Sequence, residues 1–367
     1  MKSNRSPFTM LLIAAASFGG TSVAAAAPAA KSTKAAEPPT PVVTTGYVEA
    51  GFAMATHYPN GQIIGNLYEP RHQEFMLHAV EARVERAAPA RGNGAGFVLE
   101  AMAGDHGAAV RAGGLGLGDH ADIVQAYGVL SYPHSRLQVS VGKLASMLGN
   151  KVIQSVTNAN LSGGSQFVYI ENFTDVGVDA AWTGTGPWSA RARIVNGWDL
   201  VTDNNTSKTV FGRVGWAKGS RALAVLAYTG SELPDSVGGQ HTGAEVLANT
   251  KFGRVATTVQ LDIGREEALD ATWRAAGVWM TVPLRPNIDL ALRGDTLDDV
   301  NGARTSGVLG FPQLGGQTLS GIAATLVIRA MPGVLIRPEL RADQSNEPVF
   351  DGEDDQWTAG IGAAFSF

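Results

Sequence analysis

Along the last stretch of the chain, Trp357, Ala359, Ile361, Ala363, Phe365 and Phe367 alternate with Thr358, Gly360, Gly362, Ala364 and Ser366. Alternation with a period of two predicts a β-strand with one apolar face. A terminal aromatic residue makes it read as the closing strand of a transmembrane barrel, since only a closed barrel pairs every backbone group without leaving an edge in hydrocarbon. The same parity recurs upstream. Val255, Thr257, Val259, Leu261 and Ile263 form one face, and Ala256, Thr258, Gln260, Asp262 and Gly264 the other. Arg337, Glu339, Arg341 and Asp343 share a face opposite Ile336, Pro338, Leu340 and Ala342, while Arg191 and Arg193 oppose Ala192 and Ile194.

From Val43 onward the pattern predicts an all-β, antiparallel transmembrane barrel of about sixteen strands, and about fourteen or eighteen fit the same rhythm. Brief connections rich in Pro, Gly, Asn and Ser fall at residues 89–94, 133–135, 185–187, 218–220, 252–253, 285–287 and 332–333. Extended ones fall at 59–73, 106–121, 150–172, 200–207, 233–241, 266–270, 298–316 and 346–355. Short turns belong on the periplasmic side and long loops outside. Trp182, Trp188, Trp216, Trp273 and Trp279 are expected near strand ends or on the outward face, as interfacial girdles. Two residues break parity. Lys143 follows the apolar positions Leu137, Val139 and Val141, and His78 falls among Met76, Val80 and Val84, so each calls for a bulge, a snorkelling chain or an early strand end.

Lys2 and Arg5, the apolar residues 10–16 and the small residues 24–27 read as a signal peptide over 1–26, and 27–42 as a periplasmic lead rich in Ala and Pro, with the barrel at 43–367. Beyond that segment no apolar run reaches the roughly 18–20 residues of a membrane helix. Cysteine is absent, which suits an oxidising compartment. Glycine supplies 45 of 367 residues, several inside strand-like runs where small residues permit bends. A formal net charge of −5 argues against a nucleic-acid partner.

Gln125, Ala126 and Tyr127, then Val141, Gly142 and Lys143, then Asn196, Gly197, Trp198 and Asp199 with Asp203, Asn204, Asn205 and Lys208 carry a family likeness. Asp295 with Gly302, and Pro338, Glu339, Arg341, Asp343 and Ser345, extend it over most of the mature chain. On these residues the chain resembles the OmpL-like putative β-barrel porins. The resemblance implies a bacterial outer-membrane barrel with no catalytic residues to carry over.

A wet lumen walled by both signs of charge would select small ions and polar solutes. The expected pore-lining residues are Arg191, Arg193, Arg213, Asp262, Arg293, Asp295, Arg337, Glu339, Arg341 and Asp343, with Glu100 joining the acidic set. The bland alternative is that these groups pair across strands and fill the lumen. The long connections at 150–172 and 298–316 could fold inward to narrow it. A passive diffusion channel is therefore expected, against a non-conducting structural or adhesive barrel with a blocked lumen.

Asp351, Glu353, Asp354 and Asp355 could share a divalent ion with lipopolysaccharide, but a charge run is more often a solvated surface. The stretch from Asp199 to Asn205 lacks the calcium-loop spacing. Gly114, Gly116 and Gly118 have no following Lys-Ser/Thr, so no phosphate loop is expected. The scattered histidines lack paired helical spacing, and sequence-adjacent Asp105–His106 and Asp119–His120 do not by themselves build a triad. No cofactor, metal or enzymatic activity is expected. The expected partners are the lipid bilayer, lipopolysaccharide, small polar solutes or ions, the barrel-assembly machinery acting on the strand that ends at Phe367, and further copies in a homotrimer.

Overall fold

The computed structural model describes residues 40–115 and 117–367, so the expected signal peptide, the lead up to residue 39 and Gly116 lie outside the described residues. Sixteen strands form one closed antiparallel barrel, each bonded to its sequence neighbours and the first to the last. They are β1 (Val43–Ala55), β2 (Glu74–Arg86), β3 (Gly94–Ala103), β4 (Ala121–Tyr132), β5 (Leu137–Ala145), β6 (Thr174–Thr183), β7 (Trp188–Trp198) and β8 (Thr209–Lys218). Then follow β9 (Arg221–Gly230), β10 (His241–Phe252), β11 (Val255–Glu266), β12 (Ala271–Arg285), β13 (Ile288–Asp299), β14 (Gln317–Met331), β15 (Val334–Ser345) and β16 (Asp355–Ser366). The seam joins Tyr47 opposite Ser366 through Ala55 opposite Thr358. At its base Phe367 and Gly46 exchange backbone hydrogen bonds of 3.0 and 3.3 Å. The last strand therefore has no free edge, as hydrocarbon demands.

The alternation that identified the strands also decides their faces. On β11, Val259, Leu261 and Ile263 are exposed where Gln260 and Asp262 are buried, and on β15 Arg337, Glu339, Arg341 and Asp343 are all buried. The outward apolar side chains meet lipid, and the inward polar ones meet whatever fills the lumen. Each short predicted turn and each long predicted loop lies between successive strands as expected. We label the long connections L1 (residues 56–73), L2 (104–120), L3 (146–173), L4 (199–208), L7 (300–316) and L8 (346–354).

The two parity breaks have separate causes. Gly142 adopts φ +137°, a conformation L residues with side chains rarely hold, and a Cβ there would sit 2.2 Å from the Ala126 carbonyl oxygen. The following Lys143 is thereby buried, 2.6 Å from the Asp122 carboxylate. On β2 the pairing with β1 slips by one: Glu49 faces Ala79 and Ala50 faces Leu77. His78 is the extra residue of this bulge, so Met76 and His78 are buried while Val80 is exposed.

The aromatic expectation needs correction. Trp182 and Trp188 are exposed, but Trp273 and Trp279 are buried inside the barrel. Trp273 packs with Ile64, Tyr169, Phe311 and Phe350 from four outer loops. Sequence parity alone puts Trp273, Ala275 and Trp279 on one face, and here that face is the inner one because loop side chains cover it.

Candidate functional site

The site is the lumen, and L3 dominates it. Ser146 N–H bonds the Phe173 carbonyl across the loop's base at 3.0 Å, and Ala145 pairs with Thr174 below. Above that neck the chain leaves the wall and crosses the barrel. The segment is irregular apart from short helical turns, so its peptide groups need partners from elsewhere.

The charged wall provides them, each sign in its own role. Carboxylates accept L3 backbone N–H groups: Glu245 from Gly149 at 2.5 Å, Glu339 from Leu161 and Ser162 at 2.8 and 3.0 Å, and Asp295 from Ser165 at 2.6 Å. Guanidinium groups donate to L3 carbonyls: Arg337 to Ser155 and Asn158 at 2.7 and 2.8 Å, Arg293 to Ser162 at 2.9 Å, and Arg213 to Met147 at 3.0 Å. Gln260 accepts from Asn150 at 2.9 Å, and Gln166 of L3 donates to Asp262 at 3.3 Å. Thus six of the residues expected to line the pore, Arg213, Asp262, Arg293, Asp295, Arg337 and Glu339, hold L3. Of the other four, Arg341 reaches the L1 carbonyl of Gly65 at 3.3 Å and pairs with Asp343 at 2.7 Å. Arg193 pairs with Asp175 at 2.6 Å and Asp179 at 2.9 Å, and Arg191 with Asp179 at 2.7 Å. Positive and negative groups interleave on neighbouring strands; they do not sort onto two facing walls.

Sequence reading missed Glu49 and Glu245, and it placed Gln260 on the inner face of its strand without counting it among the pore-lining residues. Glu49 is fully buried and pairs with Arg337 and with the Ser155 hydroxyl. Its signal was available, because Tyr47, Glu49 and Gly51 share a parity opposite Val48, Ala50 and Phe52. In L3 itself, Lys151 donates to the carbonyls of Asn160 and Ser162, and burial, aided by repulsion from Arg293, lowers its pKa to about 7.

The outer half of the lumen is apolar where the loops meet. Ile64 of L1, Tyr169 and Ile170 of L3, Phe311 of L7 and Phe350 of L8 pack on Trp273, Leu297 and Leu319 of the wall. Tyr68, Ile153 and Phe167 make a second cluster with Met102 and Val124. Arg304 of L7 donates to the Tyr169 carbonyl at 2.7 Å and lies over the Trp273 ring. Both long connections flagged as candidate inward loops therefore turn inward, L3 across the barrel and L7 beneath its rim.

At the foot of L3, Asp199 accepts the N–H groups of Phe173 and Thr174 at 2.8 Å each. Burial nevertheless pushes its carboxyl up to about 7, and burial does the same to Glu232, which accepts the Trp198 N–H. Unfolded carboxyls titrate near about 4. Their contribution is therefore complete below that value and lost as pH rises through about 7. We expect protease to cut at residues 199–208 faster at pH 8.5 than at pH 6; equal rates would show that these carboxyls do not hold the junction.

Other candidates take ordinary roles. Asp105 binds Arg71 and Asp119 binds Arg111, so neither serves the histidine beside it. Asp203 pairs with Lys208. Asp351, Glu353, Asp354 and Asp355 are all exposed.

The family model described as putative beta-barrel porin-2, OmpL-like, matches residues 41–367. A search of curated proteins returns no match. Among solved structures, the anion-selective porin from Comamonas acidovorans superposes with a TM-score of 0.63 at 12% identity, covering 89% of this chain and 100% of that one. The trimer form of OmpT from Vibrio cholerae gives 0.60 at 10%, covering 90% and 100%. Salmonella typhi OmpF in complex with daunomycin gives 0.58 at 12%, covering 90% and 98%. At such identities the shared property is the fold.

Proposed function

Because this chain belongs to the OmpL-like family of putative β-barrel porins of the bacterial outer membrane, we infer that it is a passive channel for small hydrophilic solutes whose narrow section is built by L3. The observation that carries this reading is the division of labour in the wall. Charges at mid-height are committed to L3, whereas inward arginines nearer the short turns keep water contact. The Arg83, Arg191 and Arg329 side chains are 26, 22 and 31% exposed, while their partners Glu100, Asp179 and Asp289 are 0, 2 and 11% exposed. Glu100, Asp179 and Asp289 are buried behind guanidinium groups, and Glu85, the second partner of Arg83, is 40% exposed, so the positive weighting of the inner vestibule rests on Arg191 and Arg329.

Planar-bilayer recording tests this. Stepwise currents support the channel, and a folded but silent barrel refutes it. The triple variant Arg83→Gln, Arg191→Gln, Arg329→Gln should move the reversal potential in a salt gradient toward cation preference. No movement would remove these arginines from the solute path.

A second reading has its own support. The apolar packing of L1, L3, L7 and L8 against Trp273 and Leu297 resembles a protein core more than a wet vestibule, and suits a barrel whose outer half is blocked. A silent wild type would select it. Several partners follow as part of the inferred function. The outward apolar belt meets the bilayer, exposed L8 carboxylates face lipopolysaccharide, and the closing strand ending at Phe367 engages the barrel-assembly machinery. A homotrimer is the inferred assembly, and mass in mild detergent reads it.

A further inference from the structure

We propose that His78, His106 and Glu69 form a binding site for one divalent transition-metal ion, zinc being the best match, that staples L1 and L2 to the inner wall. The three come from separate elements. His78 is the bulge residue of β2, Glu69 belongs to L1, and His106 lies in a single helical turn of L2, α1 (Asp105–Ala109). One candidate ligand atom from each lies within 4.8 Å of the other two. All three residues are buried, with at most 2% of their surface accessible.

Their polar atoms are what call for an ion. Both ring nitrogens of His78 and Oε1 of Glu69 are buried and have no hydrogen-bond partner, and the buried His106 ring has no partner beyond a marginal backbone contact at Tyr68. Leaving such groups unmatched is costly, and natural interiors rarely tolerate several together. Two imidazoles and one carboxylate are a recurrent zinc donor set, with the fourth position left to water. Ligand atoms held at about 2.0–2.2 Å by a tetrahedral ion sit about 3.4 Å apart, so donors separated by up to 4.8 Å close by up to about 1.4 Å on binding.

The surroundings hold the donors in place. The bulge turns His78 inward, and Gly51 leaves room for its ring, since a Cβ there would lie 2.4 Å from His78 Cε1. The Tyr68 ring lies 4.0 Å from that of His106, centre to centre, and its hydroxyl donates to the Ile153 carbonyl of L3 at 3.2 Å. Arg71, two residues past Glu69, binds Asp105, next to His106, through two bonds of 2.9 and 2.8 Å. L1 and L2 are thus already locked together beside the donors.

The test uses the full mature barrel in detergent, stripped with chelator and titrated with Zn2+ alone. One ion per chain should bind. His78→Gln, His106→Gln and Glu69→Gln should each weaken binding by more than about 10-fold, the loss that even an outer-shell partner causes. His134→Gln, in an exposed turn, should leave it unchanged. Wild type that takes up no zinc, or ligand variants that bind as wild type does, would overturn the proposal. Heat-dependent gel migration confirms that each variant is folded. If a variant does not fold, Co2+ on the wild type decides: visible bands of a four-coordinate nitrogen and oxygen site support it, and a spectrum equal to free Co2+ refutes it.

Discussion

Replacing residues 147–172 with a four-residue Gly-Ser linker is expected to raise single-channel conductance by at least about threefold, because the narrowest section limits flux. The design respects the fold, since Ala145 and Thr174 already pair and the base of L3 is closed by a hydrogen bond from Ser146 to Phe173. The segment removed carries the contacts to Glu245, Gln260, Arg293, Asp295, Arg337 and Glu339, so these side chains would return to water and line an open lumen. Released from L3, they also become a measurable filter. The shortened barrel should respond to Glu339→Gln by a change in ion selectivity that the intact barrel does not show. Conductance unchanged by the replacement would mean that L3 does not define the narrow section. A silent parent with a conducting variant would identify the parent as a blocked barrel, and so separates the two functional readings.

The second large effect concerns the pair between Arg337 and Glu49. Both are buried, and Arg337 also supports L3 through the carbonyls of Ser155 and Asn158. Breaking a buried pair from one side leaves a charge without its partner, at a cost of about 3–5 kcal/mol. Arg337→Met should therefore lower the unfolding free energy by that amount in denaturant titrations of the lipid-inserted barrel. The double variant Glu49→Gln, Arg337→Met should recover most of the loss, since a neutral pair carries no stranded charge. If single and double variants are equally destabilised, the pair's electrostatics do not matter and the loss comes from packing or from L3. Conductance separates those two causes, because only release of L3 opens the lumen.

The elements themselves were legible. Parity on β11 and β15 placed Asp262, Arg337, Glu339, Arg341 and Asp343 on the inner face, Arg293 and Asp295 were expected to line the pore with them, and the structure buries all seven. Side-chain direction along a strand follows from pleating alone, and tight turns announce themselves through Gly, Pro, Asn and Ser. Even the irregularities left a trace, since His78 and Lys143 stood out by breaking the alternation. What they meant was not legible. His78 is a bulge residue facing two loop donors, whereas Lys143 is redirected by Gly142 toward Asp122.

Strand identity, turn positions and the shared parity of the charged residues on β11 and β15 were thus set by the sequence, through rules that act between neighbours a few positions apart. The path of L3, the burial of Trp273 and Trp279, and the meeting of Glu69, His78 and His106 were decided only by the closed barrel. Leu161 finds Glu339 across 178 residues and Gly149 finds Glu245 across 96. Closure brings such groups together at a distance no local pattern encodes. Inside it, an irregular loop must settle where the wall can satisfy its peptide groups.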